Sequence, residues 1–174
     1  MMRLRALLTL AAAGACLLAF EVRGEGPAPK NAPGFDLFKS LAGEWTGTGV
    51  MGGQSQDVTV NYKVTSAGNA VLETLFSGTP HEMISVIHPD GDHLSLTHYC
   101  AMGNQPRMIA AGPENNIIAF KFNGGSNIRP DDDDHMHSAT YTFVDRNTLH
   151  SEWTHFHKGK AVGTATLDLK RKQR

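Results

Sequence analysis

A single short stretch holds most of the groups in this chain that could do chemistry. Thr97-His98-Tyr99-Cys100-Ala101-Met102-Gly103-Asn104-Gln105-Pro106-Arg107-Met108 sets an imidazole, a thiol, two amides and a guanidinium close together. In a strand, His98 and Cys100 share a face and continue the line of Leu94 and Leu96. Gly103-Asn104 is a turn signal, and Pro106 enters the next strand, so Gln105 and Arg107 begin the return leg of a hairpin. Polar chemistry on a core-facing line reads as the lining of a pocket. The competing reading is that His98, Asn104, Gln105 and Arg107 hydrogen-bond one another and the backbone, and so pin the hairpin.

Histidine spacing invites a metal reading. The chain has nine histidines. His135-x-His137 and His155-x-His157 each put two imidazoles on one face of a strand, and His98-x-Cys100 adds a third pair. Imidazole and thiolate suit zinc or copper, and a catalytic centre would keep three protein ligands and an open position. His98, His135 and His137 form the candidate set, with Cys100 as a substitute member. Against it, His155 and His157 flank the Lys158-Gly159 turn, where exposed residues are ordinary.

An enzymatic reading would use Glu152 or His98 as general base and Arg107 to hold an anion. Cys100 as a nucleophile needs a histidine to lower its pKa. His98 lies two residues away, but side chains on one strand face project in parallel, so a buried small hydrophobe is the better reading of Cys100. The chain contains no Gly-x-Ser-x-Gly elbow, phosphate loop, dinucleotide fingerprint or His-Glu-x-x-His, which lowers the odds of the commoner enzyme classes.

Non-covalent binding asks for less. The candidate ligand-binding residues are His98, Cys100, Asn104, Gln105, Arg107, Met108, His137, Tyr141, Glu152 and Trp153, with Phe143 on the same interior alternation. Arg107 or Glu73 would be the orienting charge, and the ligand would be a small hydrophobic molecule.

The elements that must position these groups are nearly all strands. β-rich runs fall at 44–51, 56–66, 70–77, 82–88, 93–100, 106–111, 117–122, 137–144, 148–157 and 161–170. Turn signals at Pro89-Asp90-Gly91-Asp92, Asp145-Arg146-Asn147 and His157-Lys158-Gly159-Lys160 separate several of them. Ten evenly spaced strands with short connections predict one all-β domain, an antiparallel meander barrel over 35–174, in which closure removes exposed edges. Phe35 to Leu41 predicts a short amphipathic helix that plugs one end. The longest break, Asn123 to Asp134, ends in Asp131-Asp132-Asp133-Asp134. Those aspartates lack the alternating spacing of a calcium loop and read as a solvated, self-repelling loop, which is compatible with a lid over the pocket.

The N-terminus reads as an export signal. Arg3 and Arg5 precede an apolar run, Leu7 to Phe20, and Val22-Arg23-Gly24 offers a cleavage site, giving a signal over 1–24 and a linker over 25–34. The run is short for a membrane span. Ala13-Gly14-Ala15-Cys16 is a second-choice lipidation site. Processing would leave 13 basic and 16 acidic residues, a formal charge of −3, which argues against a nucleic-acid partner. Cys100 would then have no cysteine to pair with in an oxidising periplasmic or extracellular compartment. Oligomeric state is not legible.

Leu41-Ala42-Gly43-Glu44-Trp45-Thr46-Gly47 resembles the Gly-x-Trp-x-Gly opening of lipocalins, fatty-acid-binding proteins and nitrobindin-like barrels. The Thr97–Met108 stretch, Asp134-His135-Met136-His137 and Ser151-Glu152-Trp153-Thr154 look like an uncharacterised family of exported bacterial lipocalin-like proteins, known only as a domain of unknown function. The resemblance implies a ten-stranded calycin-type barrel and no particular activity. The nitrobindin similarity would imply haem held by one late histidine, with neither His155 nor His157 singled out; the residues it carries over to this chain are Gly43, Trp45 and Gly47, which are structural.

Overall fold

The computed structural model describes residues 32–173; the expected signal, Cys16 and most of the expected linker lie outside these residues. A short helix α1 (Phe35–Ser40) precedes ten strands: β1 (Gly43–Met51), β2 (Gln54–Thr65), β3 (Ala70–Leu75), β4 (Met83–Asp90), β5 (His93–Tyr99), β6 (Gln105–Ala110), β7 (Ile117–Ser126), β8 (His135–Asp145), β9 (Thr148–His157) and β10 (Lys160–Arg171). Each strand pairs antiparallel with its neighbours in sequence, and β1 pairs with β10, so the sheet closes. The predicted meander barrel is the observed fold.

Two glycines show what closure and curvature demand. At Gly47, on the β1–β10 seam, an added Cβ would sit 1.8 Å from the Asp168 carbonyl oxygen. Any side chain there would push the seam strands apart. At Gly125, with φ of 151°, it would sit 2.4 Å from the Gln105 carbonyl oxygen. That close approach lets β7 run on to Ser126, four residues past its predicted end, alongside a register shift between Pro106 and Met108. A second shift, between Met136 and Ser138, accompanies the start of β8 at His135 rather than His137.

One end of the barrel is sealed. Helix α1 turns Phe35 and Phe38 inward, and both are buried. Phe38 meets the rings of Phe120, Tyr141 and Phe143 at centroid distances of 5.8, 5.1 and 5.3 Å. Fully burying such a side chain is worth roughly 1.5–3 kcal/mol, so the helix is held by its plug rather than by its length. Trp45 is completely buried and donates its Nε1 hydrogen to the Leu41 carbonyl at 2.8 Å. The Arg171 guanidinium lies over the Trp45 ring at 4.4 Å and donates to the carbonyls of Ser40 and Ala42. The last residues of the expected linker are docked rather than loose. Ala32 is buried, and Pro33 packs where a Cβ on Gly112 would fall.

Candidate functional site

The other end is framed by the β1–β2 turn, the β3–β4 connection, the Cys100–Asn104 turn, residues 127–134 and the Lys158–Gly159 turn. Between it and the α1 plug, the barrel axis carries a knot of polar groups. Alternation along β3 turns Val71, Glu73 and Leu75 inward. Glu73 is completely buried and accepts hydrogen bonds from Tyr62 Oη at 2.8 Å and Tyr141 Oη at 3.0 Å. Ser85 also donates to it. Burial raises the Glu73 pKa, and the bonds from Ser85, Tyr62 and Tyr141 partly offset that rise. Burial first, then the Glu73 charge, pushes both phenols well above their ordinary range.

Above this knot stands His98, also buried, with its Nδ1 3.1 Å from Ser85 Oγ. Ser85 has one hydrogen and gives it to Glu73, so the His98 Nδ1–H is assigned as donor to Ser85 Oγ. Nε2 is then a bare acceptor. Burial lowers the His98 pKa to about 4, so the ring is neutral at pH 7.

The His98 ring lies 4.9 Å from that of Trp153. The two floor a small cavity of about 30 Å³ completed by Leu75, Phe76, Ala165 and Leu167, with Met51, Met83 and Met136 at its mouth. Trp153 is 4% exposed, yet its Nε1–H has no hydrogen-bond partner among the described residues. Buried donors are almost always paired, so this one marks the cavity. Its size is about that of one or two water molecules. The expectation of a roomy interior is therefore corrected: Tyr62, Glu73, Tyr141, Trp45 and Phe38 fill most of the barrel. Haem does not fit, since pockets for ligands of that class run roughly 300–1,000 Å³.

The remaining predicted site residues fall in three places. His98, Met108, Tyr141 and Trp153 face the interior, as expected, but Met108 and Tyr141 lie outside the cavity lining. Arg107 and Glu152 point outward and are exposed. Arg107 reaches only the Asn123 carbonyl, at 3.4 Å, so it neither orients a ligand in the barrel nor holds an anion there. Glu152 flanks Trp153 on the opposite sheet face and cannot serve as a base in the cavity. Cys100, Asn104 and Gln105 belong to the rim. Strand β5 ends at Tyr99, and the Cys100 carbonyl accepts from Gly103 N in the turn. Burial raises the Cys100 pKa, the opposite of an activated thiol. Asn104 donates from Nδ2 to the Asp134 carbonyl at 2.6 Å, and Gln105 Oε1 accepts from Asn127.

The expected metal triad is not assembled. Among the described residues, no group of three or more His, Cys, Asp or Glu side chains is arranged to hold a metal ion. His135 Nε2 and His137 Nδ1 are 3.0 Å apart and hydrogen-bond each other. The His137 ring is stacked on Phe156 at 3.8 Å and on Phe122 at 4.9 Å. Burial, then the neighbouring His135, lowers its pKa. His98 remains with Ser85 and Trp153. The aspartate run is less self-repelling than expected. Arg129 grips Asp133 and holds its carboxyl down to about 2, and Asp134 lies between His155 Nε2 at 2.8 Å and His157 Nδ1 at 3.1 Å. Burial alone would raise the Asp134 pKa, but the bonds from His157 and His155 keep it lowered. The 127–134 segment is thus fastened to the rim.

Sequence reasoning missed Tyr62 and Ser85. Both were legible as inward positions, Tyr62 in the line Val58-Val60-Tyr62 and Ser85 between Met83 and Ile87. No signal in the sequence showed that Ser85 links Glu73 to His98.

No protein-family profile matches the sequence, and no curated protein does. Among solved structures, the chain is similar to a protein of unknown function from the DUF3598 family of Nostoc punctiforme PCC 73102, with a TM-score of 0.55 and 13% identity. The match covers 78% of this chain and 49% of the other, so the chain spans about half the length of that protein. At that identity the likeness is one of fold, and what it establishes is a barrel domain of unknown function.

Proposed function

We propose that this protein is a lipocalin-like binder of a small, mostly apolar molecule, taken up at the end of the barrel opposite α1. The observation that carries this reading is the cavity over His98 and Trp153, apolar in its walls but floored by a buried indole N–H without a partner. Met51, Met83 and Met136 at the mouth are half-buried. Methionine is unbranched and adaptable, so these side chains can swing aside and enlarge the resting cavity without disturbing the sheet. Read together with the export signal expected over residues 1–24, the ligand is met outside the cytoplasm. A metal- or haem-dependent enzyme has no donor cluster or cavity in its favour among the described residues.

Native mass spectrometry of protein purified from its own host tests the proposal, together with thermal shifts against a panel of small hydrophobes. The expected result is a mass above that of the bare chain, or stabilisation by at least one compound. A bare-chain mass and a flat panel would sink it.

A further inference from the structure

We infer that the ligand's polar end is an uncharged group with both a hydrogen-bond acceptor and a hydrogen to give, such as a primary amide or an alcohol, received by Trp153 Nε1–H and His98 Nε2. This rests on the binding reading above and adds the chemical class of the ligand's head.

Three observations converge on it. The indole of Trp153 lines the cavity and offers a donor that no described residue accepts. The imidazole of His98, 4.9 Å away ring to ring, offers Nε2. The chain of hydroxyls behind it fixes which kind of partner Nε2 wants. Ser85 spends its hydrogen on Glu73, Nδ1–H of His98 is spent on Ser85, and Nε2 is left with a lone pair. One ligand group must therefore take a hydrogen bond from the indole and give one to the imidazole. An amide does so with its C=O and N–H, an alcohol with its single O–H group.

Charge selects further. The cavity walls hold no Lys or Arg, and Arg107, the cation once expected there, faces outward. The titratable group behind Ser85 is the buried acid Glu73, which supplies no positive charge. A carboxylate entering this site would be desolvated without a counter-charge and would have no hydrogen for Nε2. The fatty-acid type of ligand is disfavoured by the same groups that favour an amide. An ammonium head would satisfy Nε2 but leave the indole hydrogen without an acceptor.

The experiment uses four small probes of matched size: butanamide, 1-butanol, butanoate and pentane. Each is titrated into the full-length isotope-labelled protein at pH 7 while the indole N–H resonances are followed. The expected result is that butanamide and 1-butanol move the Trp153 signal downfield. They should bind about tenfold more tightly than pentane, the worth of one hydrogen bond to a buried group, with butanoate weakest. In Trp153→Phe, pentane binding should persist while the advantage of butanamide disappears. If no probe binds, the binding reading itself fails. If pentane binds as well as butanamide, or butanoate binds best, the cavity stands but the head-group assignment is overturned. An unmoved Trp153 signal on saturation with butanamide overturns it in the wild-type protein, whether or not the variant folds.

Discussion

The two tryptophans of this chain sit at different levels of one barrel, Trp45 beside the α1 plug and Trp153 under the cavity, both buried, and they are treated differently. Trp45 donates its indole hydrogen to Leu41 and is covered by Arg171, whose guanidinium also ties α1 to the end of β10. Trp153 has the same hydrogen and, among the described residues, nothing to give it to. At the α1 end every device serves closure: inward phenylalanines, a capped indole and a glycine where strands nearly touch. At the other end the walls are apolar, the mouth is built from methionines, and one buried donor waits. A structural residue satisfies itself within the fold. A residue left unsatisfied beside a cavity marks where the fold expects something from outside.

The largest break in this comparison should come from the sealed end. Gly47→Ala places a Cβ 1.8 Å from the Asp168 carbonyl oxygen, a backbone clash at the closure seam. It should cost about 4 kcal/mol or more, at the extreme of single substitutions, read as a collapse of the denaturant midpoint or a loss of soluble protein. A seam that accepts alanine at unchanged stability would mean that closure is not what Gly47 serves.

Next in size is the acid response of the open end. The His98 pKa is about 4 in the fold against an ordinary 6.5. The unfolded chain therefore binds more protons between these values, and stability falls as pH drops through that window. The sign follows from a depressed folded pKa: the contribution is complete above about pH 6.5 and lost by about pH 4, amounting to ~3 kcal/mol. His98→Gln should flatten this part of a pH-dependent denaturation series. An unchanged slope would show that His98 is not the titrating group.

The paired test of the tryptophans is smaller and more pointed. Trp45→Phe removes the shorter of the two hydrogen bonds to the Leu41 carbonyl, leaving Arg171 Nη1 at 3.4 Å, and should cost about 1–2 kcal/mol beyond the lost ring volume. Trp153→Phe removes a donor that has no partner among the described residues, so its cost is confined to the lost ring volume and should be the smaller of the two. Urea melts of both variants decide it, and equal losses would erase the contrast between the two tryptophans. Smallest of all, Arg107→Ala and Glu152→Ala alter the outer face of the sheet. Each should stay within about 0.5 kcal/mol of the parent and leave ligand stabilisation intact in the same thermal-shift panel.

The barrel was legible in the sequence because turn chemistry and period-two alternation repeat ten times over, and each repeat corrects errors in its neighbours. The site was legible only where alternation alone decides. It turned His98, Met108, Tyr141 and Trp153 inward correctly. Carried through strictly, it would also have turned Arg107 outward, since Arg107 pairs with Thr97 while Met108 pairs with Leu96. Arg107 and Glu152 entered the candidate set for their chemistry against their position. Cys100 was misplaced because the strand ends one residue earlier and the backbone turns away. Around His137 the register shift after Met136 breaks the alternation, and nothing local in Met136-His137-Ser138 announces it. The link from Glu73 through Ser85 to His98 joins β3, β4 and β5, a contact set by register across three strands that no single segment encodes.

The seam between β1 and β10 also has a consequence in time. Its partners, Trp45 and Arg171, lie at nearly opposite ends of the described chain. Nine strands can pair in order as they leave the ribosome, but the tenth supplies the edge that both β1 and β9 await. Until β10 has been made, β1 and β9 keep open edges, and the step that locks the barrel comes last.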